Sequence, residues 1–173
     1  MKSVTTPLAV LACLSLAACD QPKPRPAEPA APPPPAAAPA APAAASANLP
    51  KRAEMAGFSL DVINDAKDPV NTPARISAAG PVTLTGFGFD PVAKAPGAAV
   101  DIVIDGVAYP TSYGHQRKDV ADYFKTPALE NTGFTVTLPA GVIKPGPHQA
   151  VVRVVSADKT GVFDSVTIGF VAQ

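Results

Sequence analysis

Half of the 22 prolines in this 173-residue chain lie between Gln21 and Pro50. Proline fixes φ and removes a backbone donor, so neither a helix nor a strand can run through such a segment. Alanine fills most of the remaining positions, and this composition buries too little apolar area to offset the entropy of ordering. We therefore predict a disordered, Pro/Ala-rich tether over residues 19–56, with a spacer up to roughly 90 Å long at about 3.1 Å per residue in polyproline II. A folded domain is then expected at 57–173.

The first 18 residues have the features of a signal peptide. Lys2 gives a short positive region, and the apolar run from Pro7 to Ala18 is too short to span a bilayer. The run ends in Leu-Ala-Ala followed by Cys19, which resembles the bacterial lipobox. The resemblance implies acylation of Cys19 after cleavage; the alternative is an ordinary secretory signal cleaved after a small residue.

The resemblance to lipoproteins also implies a location. We expect a bacterial cell-envelope protein that is held to the membrane by the lipid on Cys19, with its domain in the periplasm. Asp20 follows directly, and this resembles lipoproteins retained in the inner membrane, although the outer membrane stays open. The chain has 14 basic and 14 acidic residues, which argues against nucleic acid as a partner. Both cysteines lie within the first 19 residues, so no disulfide is expected in the domain.

The rest of the chain has the pattern of an all-β protein. Apolar and polar residues alternate over short segments such as 100–105 and 134–138, and turn residues separate these segments. Asp-Gly at 105–106 favours a type I′ hairpin, and 157–161 predicts a second hairpin with Gly161 left-handed. About seven strands at this spacing predict a single Ig-like antiparallel β-sandwich.

One short helix is expected near 119–124. Asp119 is its predicted N-cap, Pro127 prevents its continuation, and Val120 and Phe124 would share one face. That face is expected to cover the open end of the sandwich.

A spaced pattern supports the same fold. GFGFD (86–90), IDG (104–106), RKDVADYF (117–124), TGF (132–134) and PGPHQAVVRV (145–154), which contains GPH, follow one another in order. Together they resemble Ig-like β-sandwich modules of bacterial exported proteins. The resemblance implies a fold and an exported location, and it carries no catalytic residues.

The stretch SYGHQRKDVADYF, residues 112–124, gathers more polar chemistry than any other. Tyrosine and arginine often anchor interfaces, which makes a binding patch one hypothesis. The alternative is structural: Arg117 would pair with Asp119 or Asp122, and the tyrosines would cap the sandwich. The candidate binding patch is Tyr109, Tyr113, His115, Gln116 and Arg117.

Catalytic and metal-binding patterns are weak. Ser112 lacks the context of a nucleophile elbow, and no histidine or cysteine pair has metal-ligand spacing. Side-chain oxygens of Asp61, Asn64, Asp65 and Asp68 could suit calcium, but their spacing is not that of an EF-hand and a solvated loop explains them better. We therefore predict no catalytic residues, no metal and no cofactor.

These observations lead to a functional expectation. We expect a non-catalytic protein-binding or assembly module whose partner is an unidentified envelope protein. The alternative is a module that binds glycan, either peptidoglycan or a surface polysaccharide, through the Tyr109–Arg117 loop. An envelope enzyme is a third, weaker hypothesis.

Overall fold

A computed structural model describes residues 43–173. The predicted signal peptide, Cys19 and the tether up to residue 42 lie outside the described residues. The described part is an all-β sandwich with one short α-helix, α1 (Lys118–Phe124), and a 3₁₀ helix (Pro127–Asn131). Its strands are β1 (Lys51–Met55), β2 (Gly57–Ile63), β3 (Ala66–Lys67), β4 (Ala74–Ile76), β5 (Val82–Asp90), β6 (Ala95–Pro96), β7 (Ala99–Ile104), β8 (Val107–Pro110), β9 (Ser112–His115), β10 (Gly133–Leu138), β11 (Gly146–Val155), β12 (Val162–Asp164) and β13 (Ile168–Ala172).

Two sheets form the sandwich. In sheet A, β7 pairs with β8 on one side and with the long strand β11 on the other. The opposite edge of β11 pairs with β13 along its first half and with β12 along its second half. β4 pairs with β13 and β1 pairs with β12, both in parallel. Sheet B has the order β3-β2-β5-β10-β9, with β6 on the end of β5. The arrangement β2-β5-β10 facing β7-β11-β13 is that of an Ig-like sandwich, as predicted. The described residues contain thirteen strands rather than about seven, because short edge strands lack a recognisable alternation.

The hairpins are where the turn residues predicted them. Asp105 and Gly106 both have positive φ, as a type I′ turn requires. The β11–β12 hairpin is also confirmed, but its left-handed residue is Lys159 and not Gly161. Gly161 is instead confined, because a Cβ there would lie 2.7 Å from Arg52 Nε.

The main core fills the space between the two sheets. Alternate residues of the central strands point inward and are almost fully buried, as the period of two predicts. The largest of these side chains are Leu60, Ile63, Leu84, Ile102, Phe134, Phe163 and Phe170. Gly86 lies under Phe134, and a Cβ on it would sit 2.1 Å from the Ser59 carbonyl oxygen. The backbones of β2 and β5 therefore approach each other closely at this glycine.

The domain begins earlier than residue 57. β1 (Lys51–Met55) is an ordered edge strand that pairs in parallel with β12, so assigning 51–56 to the tether was wrong. The strand escaped notice because four of its five residues are exposed and it has no apolar alternation. The preceding residues, 43–50, form a turn that we call the strap. The Ser46 N–H donates to Asp101 Oδ2 at 2.8 Å, which holds the strap on the outer face of sheet A.

Helix α1 occurs at the predicted place with a different N-cap. Arg117 occupies the N-cap position and makes no side-chain capping bond, whereas Asp119 lies inside the first turn. The helix covers the outer face of sheet B and not the open end of the sandwich. Among residues 43–173, no helix has the length and apolar character needed to cross a bilayer.

Candidate functional site

The outer face of sheet B carries a second apolar cluster. Along β5, Gly86 and Gly88 point into the main core, so Phe87 and Phe89 point outward by alternation. Their rings stack with centroids 6.2 Å apart. The Phe89 ring lies over Gly57, where a Cβ would approach it to 2.2 Å. The sequence Gly-Phe-Gly-Phe therefore places two aromatic rings side by side on the outside of the sheet.

Helix α1 and the 3₁₀ helix cover part of this cluster. Val120 and Leu129 are buried against Phe89, which fixes the orientation of both helices. Lys125 adopts the left-handed conformation and ends α1, and its N–H bonds back to carbonyls of the helix. The C-terminal residues of α1 consequently project over the two phenylalanines.

Arg117 fastens the start of α1 to the sheet. Its Nη1 lies 2.7 Å from Asp61 Oδ2, while Nε and Nη2 bind both oxygens of Asp119 at 2.9 and 2.7 Å. Its guanidinium also lies 5.2 Å from the centroid of the Phe87 ring. Asp61 is the extra residue of a bulge in β2, which re-aims its side chain. The hydrogen bonds from Arg117 lower the pKa of Asp119.

The last two residues of α1 are exposed aromatic side chains. Tyr123 is 80% exposed and Phe124 is 42% exposed. The Phe124 ring stands edge-on to Phe87, Phe89 and Tyr123, at centroid distances of 6.4, 5.1 and 5.0 Å. We call these four side chains the aromatic surface. The exposed ring area of Tyr123 and Phe124 on a well-packed scaffold is typical of a binding site.

Phe124 separates two grooves on this surface. The first has a volume of about 550 Å³ and is lined by Ser59, Phe87, Asp119 and Tyr123, together with Phe58 and Val120. The second, about 300 Å³, is lined by Met55, Gly57, Phe89, Pro91, Lys94, Thr126 and Leu129. Phe87 thus lines one groove and Phe89 the other.

The predicted binding patch does not form one open surface. The Tyr113 hydroxyl donates to the Gly88 carbonyl at 2.7 Å and accepts from the Gly97 N–H at 3.1 Å. Burial raises the pKa of Tyr113 to about 12, against a smaller lowering by the Gly97 N–H. Tyr109 is half-buried and packs against the main core. Both tyrosines therefore have structural contacts.

The other three patch residues differ in exposure. Arg117 binds Asp61 and Asp119, and the Gln116 side chain donates to Glu130 at 2.7 Å. His115 is exposed on the edge strand β9. Ser112, His115 and Asp119 share no hydrogen bond in the described structure. A binding role for the patch stays a prediction.

The other histidine forms a structural clasp. His148 Nδ1 lies 2.6 Å from Asp105 Oδ2, and Nε2 lies 2.7 Å from the Lys144 carbonyl. Both partners are acceptors, so both nitrogens must donate, which requires the imidazolium form. Burial alone would lower the pKa of His148, but the hydrogen bonds and charge of its partners outweigh this and raise it. The pair lines an open groove of about 660 Å³ beside β13, with its polar atoms already satisfied.

Asp61 and Asp68, which were considered as calcium ligands, accept hydrogen bonds from neighbouring side chains. Asp61 accepts from Ser59 and Arg117, and Asp68 accepts from the Asn71 amide at 2.9 Å. Within residues 43–173, no group of three or more His, Cys, Asp or Glu side chains is placed to hold a metal ion.

Comparisons with protein-family models, curated proteins and solved structures find no match.

Sequence reasoning missed Tyr123 and Phe124 as site residues, although both lie in the stretch it singled out. Phe124 was assigned to the buried face of α1, and Tyr123 was overlooked beside the charged residues. The available signal was the Gly-Phe-Gly-Phe pattern in β5. Outward-facing phenylalanines need a cover, and α1 supplies an incomplete one.

Proposed function

We propose that this chain is a lipid-anchored cell-envelope protein whose β-sandwich is a non-catalytic protein-binding module, and that it binds through the aromatic surface. The lipobox-like sequence and the Pro/Ala-rich tether support the anchor and the location. The exposure of Tyr123 and Phe124 beside two open grooves supports the binding role, and this observation carries the proposal.

The electrostatics of the site favour binding over catalysis. Asp61, Asp119 and Arg117 satisfy one another, so the groove beside Tyr123 offers no unpaired base next to a nucleophile. Aromatic side chains on a rigid scaffold instead provide contact area at low conformational cost. The fixed orientation of α1 makes the aromatic surface preformed.

Capture of a partner from solubilised envelope tests the proposal. The bait would be the chain from Asp20 to Gln173, which keeps every described residue and leaves out Cys19. We expect the double variant Tyr123→Ala/Phe124→Ala to lose a defined protein that the unaltered chain retains. Val107→Ala/Val166→Ala is the matched control, since it removes two exposed apolar side chains elsewhere. Equal capture by all three baits would contradict the proposal.

Glycan binding is the second candidate. Tyr123 is almost fully exposed, and the Asp119 carboxylate and the Ser59 hydroxyl line the same groove, which suits stacking and hydrogen bonding to a sugar. Digestion of the envelope glycans before capture separates the candidates. Binding that disappears with the glycan would favour this alternative.

The anchor is tested separately. We expect a Cys19→Ser variant of the whole chain, expressed in a bacterium, to leave the membrane fraction and to lose incorporation of labelled palmitate. A chain that stays in the membrane without Cys19 would contradict the lipoprotein assignment. Fractionation of inner and outer membranes tests the preference for the inner membrane that Asp20 suggests.

A further inference from the structure

We infer that the aromatic surface takes an extended peptide segment of its partner, with two apolar side chains at alternate positions, one in each groove, and an acidic residue beside Lys94. This inference rests on the proposed function and specifies the partner's chemistry.

The spacing of the two phenylalanine rings that line the grooves favours an extended segment. Phe87 lines one groove and Phe89 the other, and their ring centroids are 6.2 Å apart. In a strand, side chains on one face repeat at roughly 6.7 Å, which matches. In polyproline II, residues on one ridge repeat at roughly 9.3 Å, which is longer than the spacing of the two rings.

A helical ligand fits less well for a different reason. Helices that dock in grooves generally use three or more anchors, at positions such as i, i+4 and i+7, over roughly 10 Å. The aromatic surface offers two grooves with the Phe124 ring between them. Two anchors on either side of one ridge suit a short extended segment.

The charges beside the two grooves determine the orientation in which the peptide segment binds. At the first groove, Arg117 pairs with both Asp61 and Asp119, so one positive charge faces two carboxylates and the groove keeps a net negative charge. At the second groove, Lys94 is exposed, has a left-handed backbone, and makes no ion pair with any residue from 43 to 173. A carboxylate on the ligand therefore gains most beside Lys94, after the apolar residue that occupies the second groove.

Peptide titrations monitored by NMR, with the chain from Asp20 to Gln173, test the inference. The first probe is a serine octapeptide with leucine at its third and fifth positions and glutamate at its seventh. The second probe has its second leucine at the sixth position, the spacing that polyproline II would need. The third has it at the seventh position, the spacing that a helix would need. In both, glutamate is the last residue. We expect the alternate spacing to bind roughly tenfold more tightly than either, with shifts centred on Phe87, Phe89 and Phe124.

Reversing the charge at position 94 tests the proposed orientation of the peptide. In the Lys94→Glu variant we expect preference to pass to a probe that has lysine in place of glutamate. Lys159→Glu is the matched control, since Lys159 is also an exposed left-handed lysine but lies on the β11–β12 hairpin. The control should keep the original preference.

Several results would overturn the inference. Equal affinity for all spacings, tighter binding of the helical spacing, no binding of any probe, or no exchange of preference in Lys94→Glu would each do so. Binding of phosphatidylglycerol vesicles through Tyr123 and Phe124, without peptide preference, would also overturn it. The proposed function would survive these outcomes if the envelope partner is still lost from the Tyr123→Ala/Phe124→Ala bait, so the two failures are distinguishable.

Discussion

Hydrogen bonds from single polar side chains join loops that no strand pairing connects. The Asp90 carboxylate is 3% exposed and accepts from the N–H groups of Val92, Ala93 and Ala157, at 2.9, 2.9 and 3.0 Å. It thereby closes the turn after β5 and holds the β11–β12 hairpin. His148 does the same at the other hairpin through Asp105. The aspartates of GFGFD and IDG and the histidine of GPH thus have structural partners.

The clasp between His148 and Asp105 should make stability depend on pH. The pKa of His148 is raised in the folded state, so its contribution is complete below about pH 6.5, the unfolded value, and is lost as pH rises through the folded pKa. The pKa of Asp105 is lowered, chiefly by its bond to His148, so its contribution is lost below about pH 3.8 as pH falls through the folded value. Between these limits both contributions are present.

Thermal unfolding between about pH 5 and 9 checks this prediction. The midpoint of the unaltered chain should fall relative to that of His148→Gln as pH rises above about 6.5, because the variant has no imidazolium to lose. His115→Gln is the control, since His115 is exposed and makes no ion pair with any residue from 43 to 173. Parallel curves for the unaltered chain and His148→Gln would refute the role given to this pair.

At the scale of elements, glycine decides how β2 and β5 pair. A Cβ on Gly86 would lie 2.1 Å from the Ser59 carbonyl oxygen and 2.8 Å from the Phe134 ring. Both neighbours are fixed by the sheet and the core, so neither can move away. Gly169, on β13, has open space where its Cβ would be.

We therefore expect Gly86→Ala to lower the free energy of unfolding by about 3 kcal/mol, since β2 must separate from β5. Gly169→Ala should change it by less than about 0.5 kcal/mol. Chemical denaturation of both variants measures the difference. Similar stability for the two would show that the sheet adjusts at Gly86 more easily than its contacts indicate.

The elements also show where sequence reasoning works. The strands with a buried face were predictable, because residues such as Val100, Ile102 and Ile104 alternate with period two. Helix α1 was predictable from Val120 and the stop at Pro127. The sheet face it covers was not, because that depends on which side of β5 Phe87 and Phe89 occupy. The exposure of Tyr123 and Phe124 follows from that placement.

At the scale of the whole molecule, the N-terminal boundary was the main error. β1 completes sheet A by polar contacts that leave no apolar pattern: Lys51 lies 3.2 Å from Asp164, and Arg52 stacks over Phe163 at 5.3 Å. The strap adds the bond between Ser46 and Asp101. Such contacts join residues at least 55 positions apart, so local sequence cannot reveal them.

Truncation tests this boundary. A chain beginning at Gly57 should be at least about 2 kcal/mol less stable than one beginning at Ala43, because it loses a parallel strand pair and the cover over Asp101. A chain beginning at Asp20 should match the one beginning at Ala43. The comparison needs only thermal or denaturant unfolding of the three chains. Equal stability of all three would place the boundary at 57 after all.

The strap lies on the outer face of sheet A, whereas the aromatic surface lies on the outer face of sheet B. With the chain anchored and bound as proposed, a pull at Ala43 against a partner at Phe124 would act across the thickness of the sandwich. The strap is the first element in line, and before β1 is reached it is held by the bond from Ser46 to Asp101 and by the bond from the Val162 N–H to the Pro50 carbonyl. Its release would lengthen the spacer by roughly 25 Å, at about 3.1 Å per residue, while both sheets stay closed. Under such a load, the segment before β1 would therefore lengthen before either sheet unfolds.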